Sequence, residues 1–401
     1  MNDDSHNRRK TVSFISCAPH QTKLFAFLRK ALPAEVVSSI INVNLLPLTP
    51  RYWAAALASL FAAPPAATDS IIALDLMKYI AHRPASLRAL DGLIKAIWTR
   101  VAAINYRYFR RRFARETVDL LVVWGGFQLP VAAALAAARD AGIKTQFCEN
   151  GYLPRTIVMD PKGINAGNSL LGKQAEFYRA VAIPDGKRTH LLGTPLVTRA
   201  LKGGATASET LVLPEHFVFL PLQVHDDSQI LLYSPHFRDM SSVVRFCAQG
   251  VDTYNRRHGT HLKLVVKEHP SDHGRIDYSG MRREFPDAVF TKMTPTQELI
   301  QKCAAVITVN STVGIEALLH LKPVITLGDA FYAVPGLVRV SNDEGDLAET
   351  LQDAFETPID RDLTEHFLYF LRYHYLVPLD RNALEASEPA RAIARIMEAL
   401  G

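Results

Sequence analysis

The chain has 401 residues, of which 48% are hydrophobic and 21% are charged, and its formal net charge is +5 with a sequence pI near 8.9. This length exceeds the usual size of a single hydrophobic core, so we predict two domains. The mild positive charge suits an anionic substrate or a membrane surface. It does not approach a nucleic-acid-binding signature, and we predict no nucleic-acid partner.

Location and metal content follow from three further features. The start, MNDDSHNRRK, is polar with no apolar signal segment behind it, which favours a cytoplasmic protein. The longest uncharged stretch, 120–138, is interrupted by Gly125, Gly126 and Pro130, so we predict no transmembrane helix. Four widely separated cysteines without metal-ligand spacing indicate reduced thiols and no structural metal.

Short β-branched runs alternate with helical patterns along the chain, which is typical of parallel α/β sheets. The predicted strands are TVSFISC (11–17), VDLLVVW (118–124), KTQFCE (144–149), FVFLPLQV (217–224), LKLVVK (262–267), AVITV (305–309) and PVITL (323–327). The Gly-rich stretch 201–210 separates two such series. We therefore predict two Rossmann-like α/β domains facing a cleft, residues 1–205 and 206–401, and we allow the last helices to pack back on the first domain.

Polar residues follow several predicted strands, where ligands of such sheets bind. They are Glu149 and Asn150 in the first domain, and Asp226, Asp227, Lys267, His269, Asn310, Ser311 and Thr312 in the second. Lys267 and His269 alternate with Glu268 in an extended chain, so both could face an anionic donor. Asp226 and Asp227 point to opposite sides, which disfavours a shared-proton dyad. Either one acid enters the cleft while the other caps or hydrogen-bonds to the loop, or both acids are structural.

Two segments carry further candidates, each with a structural alternative. Ser311 or Thr312 can cap a helix whose amides suit a phosphate, with Glu316 near enough for a ribose hydroxyl; the alternative is an ordinary crossover helix. The stretch 148–170 is predicted to be a long irregular loop in which Asn165 and Asn168 either recognise hydroxyls or build the turn. Glu149 is a general acid or base, or else a helix cap or a partner of Arg155.

The segment 95–116 predicts an amphipathic helix with a strongly basic face, because Ile97, Val101, Ile104 and Tyr108 recur at helical spacing among seven Lys and Arg side chains. Such a helix can lie on an anionic leaflet. The alternative is a solvated face of a helix packed on the core, and the sequence leaves both open.

These stretches together resemble the capsule polysaccharide β-Kdo transferases, specifically the shorter single-module type that begins a Kdo linker on lysophosphatidylglycerol. The matching stretches are ENGYLP, DPKGINAGNS, FLPLQVHDDSQI, KEHP, TVNSTVGIEAL and KPVITLGDAFY. They occur in the family's order between about residues 120 and 340. Their combination is more specific than any one of them.

The resemblance implies a GT-B glycosyltransferase fold, CMP-β-Kdo as donor substrate, no metal or cofactor, and retention of the anomeric configuration. It places the nucleophile on Asp227, with Asp226 as the fallback, the acid/base on Glu149 and the phosphate-binding histidine on His269. The predicted substrate-binding residues are Asn150, Asn165, Asn168, Gln223, Asp226, Lys267, Asn310, Ser311, Thr312 and Glu316. The expected partners are CMP-Kdo, a lipid acceptor, the anionic inner membrane surface and other capsule synthesis and export proteins.

Two other functions compete with this interpretation. A CDP-glycerol phosphotransferase of the teichoic-acid type carries similar His-Pro and Ser/Thr-rich motifs but needs no glycosyl nucleophile. A non-catalytic, glycolipid-binding partner of capsule export would keep the fold, yet it would have no evident use for Glu149, Asp227, His269 and the Ser311-Thr312 pair together.

Overall fold

A computed structural model describes residues 8–188, 190–193, 212–224, 226–269, 278–342 and 346–401. The chain divides into two compact units, which we call unit 1 (Met1–Ser169 and Tyr375–Gly401) and unit 2 (Leu170–His374). The stretch 201–210, where the sequence predicts the domain boundary, lies outside the described residues. The end of the chain belongs to unit 1 because it supplies that unit with a strand and a helix.

The elements alternate between strands and helices along much of the chain. The strands are β1 (Thr11–Ser16), β2 (Val37–Asn42), β3 (Leu120–Trp124), β4 (Lys144–Asn150), β5 (Thr156–Asp160), β6 (Phe217–Pro221), β7 (Lys263–Lys267), β8 (Val289–Thr291), β9 (Ala305–Thr308), β10 (Val324–Thr326), β11 (Arg339–Val340) and β12 (Val377–Pro378). The helices are α1 (Pro19–Ala31), α2 (Pro50–Phe61), α3 (Thr68–His82), α4 (Asp91–Phe113), α5 (Val131–Asp140), α6 (Ala175–Arg179), α7 (Ser228–Tyr233), α8 (Met240–His258), α9 (Ser279–Glu284), α10 (Thr296–Lys302), α11 (Val313–Leu319), α12 (Leu347–Glu356), α13 (Arg361–Phe370) and α14 (Ala390–Leu400). Short 3₁₀ helices span Val43–Leu48, Ala85–Leu90, Asn165–Gly167 and Leu384–Ala386, and a π-helical turn spans Leu371–Tyr375.

The sheet of unit 1 has the strand order β12-β5-β4-β3-β1-β2. β1 to β4 are parallel, whereas β5 runs antiparallel to β4 and β12 antiparallel to β5. The central strand β3 is buried throughout, as its unbroken apolar run LLVVW requires in a sheet covered on both faces. Helices α1 and α14 pack on one face, and α4 and α5 on the other.

The sheet of unit 2 is parallel throughout, with the order β11-β10-β9-β6-β7-β8. The chain builds it outward from β6 to β8 and then outward the other way from β9 to β11. The reversal between β6 and β9 is a topological switch point, where α/β sheets place their ligands. Apolar side chains of α8 and α12 cover one face of these strands.

All seven predicted strands lie in these two sheets, and the predicted α/β class with two parallel-sheet domains is confirmed. The sequence prediction omits β2, β5, β8, β11 and β12. It is wrong about part of the stretch 148–170, because TIVMD forms β5 with all five residues buried. A tight turn made possible by Gly151 folds β5 back on β4: a Cβ at Gly151 would lie 1.9 Å from Thr156 Oγ1.

Helix α4 is the predicted basic helix, but its packing differs from the predicted apolar stripe. Tyr108 is buried, whereas Ile97 and Val101 are exposed. The middle of α4 buries Ala102 and Ala103 instead, and Ala102 packs in a cluster with apolar side chains of α3 and α5.

Across the described ranges, no helix is both long and apolar enough to cross a bilayer. Nor do those ranges hold a group of three or more His, Cys, Asp or Glu side chains placed to bind a metal ion. All four cysteines are free thiols, and three of them are buried.

Candidate functional site

Three neighbouring strands of unit 2 bring most of the predicted site residues to one edge of the sheet. β6 lies between β9 and β7, and all three are parallel, so their carboxyl ends meet. Asp226 and Asp227 follow β6, Lys267 and His269 lie at the end of β7, and the segment 310–312 follows β9. The two acids and the segment 310–312 therefore flank the switch point between β6 and β9.

Two buried amides join the ends of β6 and β9. Gln223 donates from Nε2 to Asn310 Oδ1 at 2.9 Å, and Asn310 returns its backbone N–H to Gln223 Oε1 at 3.1 Å. Asn310 Nδ2 also donates to the carbonyls of Gln229 and Tyr233, both at 3.1 Å. Because buried amides are costly to leave unpaired, this network fixes the acid-bearing loop against the segment after β9.

The two aspartates of QVHDDSQI occupy different environments. Asp227 is exposed and caps α7, since its Oδ1 accepts from the Gln229 N–H at 2.9 Å and from Ser228 Oγ at 3.3 Å. Both of these hydrogen bonds use Oδ1. Asp226 is half-buried. The sequence expectation that one acid of the pair caps a helix is therefore met by Asp227.

The end of β7 supplies two basic residues, Lys267 and His269. Lys267 donates from Nζ to the carbonyls of Lys292 (3.0 Å) and Thr294 (2.5 Å), so it ties the loop after β8 to this edge. Burial lowers the pKa of the Lys267 ammonium, and the nearby Glu268 carboxylate opposes that shift. His269 is half-buried beside it. Lys267 therefore donates two hydrogen bonds to protein carbonyls, and these bonds hold the loop after β8 at this edge of the sheet.

The segment after β9 is held from both sides. Ser311 accepts from the Val313 N–H through Oγ at 3.2 Å and donates its own N–H to Thr308 Oγ1 at 3.2 Å. Tyr332, from GDAFY, donates its hydroxyl to the Ser311 carbonyl at 2.5 Å. This contact requires Gly314, because a Cβ there would lie 2.6 Å from the Tyr332 hydroxyl. Thr312 and Glu316 are half-buried at the start of α11 and one turn into it.

In unit 1, Glu149 and Asn150 lie at the carboxyl end of β4. Glu149 is half-buried, and its Oε1 accepts from the backbone N–H and the Nδ2 of Asn150 at 2.8 and 2.9 Å. Trp124 ends the neighbouring strand β3, and the Arg381 guanidinium lies 5.8 Å from its ring centroid. Arg381 is half-buried and lies near the end of the chain, and it adds a positive charge to this edge of the sheet.

Asp160 at the end of β5 is the centre of a second buried network. Its Oδ1 accepts from the N–H groups of Lys162 and Gly163 at 2.8 and 3.2 Å. Its Oδ2 accepts from the N–H and hydroxyl of Ser169 at 2.9 and 2.6 Å and from the Tyr375 hydroxyl at 2.9 Å. Asp160 is fully buried, so these five hydrogen bonds replace its hydration.

The two asparagines of the same stretch lie beside this network. Asn168 is buried and donates from Nδ2 to the Tyr152 hydroxyl at 3.2 Å. Asn165 begins a 3₁₀ turn with a φ of 54°. Burial raises the pKa of the Tyr152 phenol above its usual range, which keeps the hydroxyl neutral. These contacts match the turn-building alternative for both asparagines.

Three contributors to these edges have no place among the sequence candidates. Asp160 carries a sequence signal, because Asp-Pro-Lys-Gly after an apolar run is a turn in which an aspartate accepts from the following N–H groups. Tyr332 and Arg381 carry no such signal, since each reaches a partner that is distant in the chain.

Residues 198–373 match the family model described as capsule polysaccharide biosynthesis protein. Protein FixF of Sinorhizobium fredii is 34% identical over 278 residues, which cover 69% of this chain and 65% of FixF. The capsule polysaccharide export protein KpsS of Escherichia coli is 31% identical over 259 residues, which cover 50% of this chain and 64% of KpsS. The chain therefore spans less than two thirds of the length of either relative.

Among solved structures, KpsC of Thermosulfurimonas dismutans, a β-Kdo 2,7 transferase, superposes with a TM-score of 0.43 at 17% identity. The superposition covers 73% of this chain and 89% of that one. The family-model match, residues 198–373, includes the stretches at the edge of unit 2 on which the predicted family depends. Over residues 198–373, the chain is similar to the capsule polysaccharide biosynthesis proteins.

Proposed function

We propose that the chain is a GT-B glycosyltransferase that moves Kdo from CMP-β-Kdo to a lysophosphatidylglycerol-type lipid with retention of configuration. The observation that carries the proposal is the convergence of Asp226-Asp227, Lys267-His269 and Ser311-Thr312 on three adjacent strands at the switch point of unit 2. The similarity of residues 198–373 to capsule polysaccharide biosynthesis proteins supports a role for this chemistry in capsule polysaccharide biosynthesis.

In this proposal, the residues around the edge divide into those that organise it and those that contact the donor. Gln223, Asn310 and Lys267 hold the loops through hydrogen bonds within the protein. His269, Ser311, Thr312 and Glu316 contact the CMP moiety. The proposal thus assigns Gln223 and Asn310, which the sequence prediction placed in the binding set, to positioning.

The proposed chemistry is a double displacement. It gives Asp227 both of the roles that the sequence pattern divides between the two acids: Asp227 caps α7 through Oδ1 and attacks the anomeric carbon of Kdo through Oδ2. The bond from that carbon to the CMP phosphate oxygen breaks, and CMP leaves with the electron pair. Glu149 then accepts the proton of the acceptor hydroxyl, whose oxygen displaces Asp227, so that two inversions give net retention.

The lipid acceptor implies work at the cytoplasmic face of the inner membrane, beside other proteins of capsule synthesis and export. Glycosyl transfer is preferred to glycerophosphate transfer because the latter needs no carboxylate nucleophile. A non-catalytic glycolipid-binding function would leave both Asp227 and Glu149 without a role.

Replacing Asp227 by Asn tests the nucleophile. We expect Asp227→Asn to fold and bind CMP but to lose transfer by about a thousandfold or more, because an amide cannot form the glycosyl-enzyme. Asp226→Asn is the matched control and should keep measurable activity. Product analysis by mass spectrometry, with CMP- and CDP-activated donors and a synthetic lysophospholipid, measures both.

A trapping experiment identifies the attacking residue directly. With donor present and acceptor withheld, wild-type and Glu149→Gln proteins should gain the mass of one Kdo on the peptide that contains QVHDDSQI, and Asp227→Asn should not. An adduct on Asp226, or near-normal turnover of Asp227→Asn, would contradict the assignment. A product of inverted configuration would contradict the double displacement itself.

A further inference from the structure

Helix α2 exposes its large apolar side chains and buries its small ones. Trp53, Leu57, Leu60 and Phe61 recur on one face and are 58%, 61%, 62% and 92% exposed. The residues that α2 buries are Ala55 and Ser59. Isolated exposed apolar residues are common on proteins, but a continuous apolar face of this kind marks an interaction surface.

The segment before α2 extends the same exposed apolar character. The 3₁₀ helix Val43–Leu48 exposes Leu45 and Leu48, which are 54% and 77% accessible. Residues 36–68 contain one charged side chain, Arg51, and no carboxylate. We call the six exposed large apolar side chains between residues 45 and 61 the α2 apolar face; they are Leu45, Leu48, Trp53, Leu57, Leu60 and Phe61.

Arginines of α4 hold α2 in this orientation. Arg100 donates to the carbonyls of Ser59 (2.9 Å) and Ala62 (3.1 Å), and Arg111 donates to the carbonyl of Ala54 at 3.0 Å. Arg107 likewise donates to the carbonyl of Ala63 at 2.5 Å. Several arginines of the predicted basic helix therefore hold α2 in place through hydrogen bonds to backbone carbonyls.

Arg111 and three further arginines form a cationic pocket at one end of the α2 apolar face. The pocket lies between α2 and α4 and is lined by Arg51, Ala54, Tyr108, Arg111, Arg112 and Arg115. Glu116 pairs with Arg112 at 2.9 Å and lies 3.8 Å from Arg51. Four arginines against this one carboxylate leave a net positive site that suits a phosphate.

We propose that the α2 apolar face and this arginine pocket dock the protein on a leaflet of anionic phospholipid. The apolar side chains enter the boundary between headgroups and acyl chains, and the pocket receives a headgroup phosphate. A helix of twelve residues is about 18 Å long and lies in the interface, since the hydrocarbon core is about 30 Å thick. The choice of a lipid partner rests in part on the proposed function, which it deepens by naming the docking surface.

Vesicle binding by the full-length chain, measured by co-sedimentation without donor or acceptor, tests the proposal. We expect binding to vesicles of phosphatidylglycerol and phosphatidylcholine, and at least tenfold weaker binding to phosphatidylcholine alone. Leu57→Glu/Phe61→Glu should weaken binding at least tenfold, because each carboxylate would have to enter the interface. The matched control Leu171→Glu/Val340→Glu alters two exposed apolar residues of unit 2 and should bind like wild type.

Two further measurements separate the contributions of charge and of apolar insertion to vesicle binding. Arg115→Gln should weaken binding to the mixed vesicles and reduce its salt dependence, whereas Arg283→Gln in unit 2 should not. Tryptophan fluorescence should shift to the blue on binding and be quenched by brominated lipids, and Trp53→Phe should abolish both signals while binding persists.

Equal binding of Leu57→Glu/Phe61→Glu and its control would overturn the proposal. Self-association through α2, detected by sedimentation velocity and lost in the same double variant, would also overturn it if vesicles are not bound. A soluble short-chain acceptor separates this proposal from the transferase proposal: if the docking proposal is right, Leu57→Glu/Phe61→Glu keeps wild-type vesicle-free turnover. An inactive wild type that binds vesicles would instead refute the transferase proposal alone.

Discussion

Two polar loops of the molecule, one after β5 in unit 1 and one after β6 in unit 2, are held by buried polar side chains. The side chains differ, and so does the state of the acids in each loop. In unit 1, Asp160 is itself the centre, and five hydrogen bonds consume its carboxylate. In unit 2, the neutral pair Gln223 and Asn310 is the centre, and the neighbouring Asp227 stays exposed.

The difference separates structural acids from candidate reactive ones. A fully buried carboxylate with every oxygen paired stabilises a loop, because its charge is compensated only in the folded arrangement. Neutral amides can hold a loop equally well while leaving a carboxylate near solvent for chemistry. We therefore expect substitutions around Asp160 to act on stability, and substitutions at the unit 2 acids to act on turnover.

The largest effect on stability should come from Asp160→Ala. The change leaves the buried donors of Gly163, Ser169 and Tyr375 without their acceptor, and we expect a loss of about 3 kcal/mol or more. Denaturant unfolding combined with hydrogen exchange of the β4–β5 amides measures it. Tyr375→Phe, which removes one of the five hydrogen bonds, should cost about 1 kcal/mol. If Asp160→Ala leaves the free energy of unfolding unchanged, Asp160 is not the structural acid that the comparison with unit 2 requires.

Gly314→Ala should have a smaller effect, centred on the edge of unit 2. The new Cβ would lie 2.6 Å from the Tyr332 hydroxyl, so we expect a loss of about 1–3 kcal/mol together with weaker CMP binding. Gly280→Ala in α9 is the control, because nothing lies within 4 Å of its added Cβ. That variant should gain about 0.5–1 kcal/mol from helix propensity. Equal CMP affinity in the two variants would mean that the Tyr332–Ser311 contact does not shape the nucleotide site.

Chelation should have the smallest effect. In our proposal, side chains such as those of His269, Ser311 and Thr312 bind the donor phosphate, so transfer should continue unchanged in EDTA. Product formation measured with and without EDTA, after dialysis, decides the matter. Activity that disappears with EDTA and returns with magnesium or manganese would show that the unit 2 acids serve a metal ion instead.

The strands of unit 2 were more predictable than those of unit 1 for a physical reason. Parallel buried strands such as FVFLP and AVIT are continuous apolar runs, and the residues that follow them automatically share one edge. In unit 1, TIVMD reads the same way locally but lies between the turn GYLPR and the polar stretch DPKGINAGNS. Its antiparallel pairing depends on the close approach of Gly151 to Thr156, which apolar patterning does not encode.

The sequence alone determined the α/β class, the seven strands and the polar residues at their carboxyl ends, because β-branching and apolar runs are local properties of the chain. Tertiary structure decided which of these polar groups form hydrogen bonds within the protein. Gln223 meets Asn310 across 87 residues, and Asp160 meets Tyr375 across 215. Tertiary structure also decided the outward orientation of α2, because helical spacing defines an apolar face but the arginine contacts from α4 determine which face meets water.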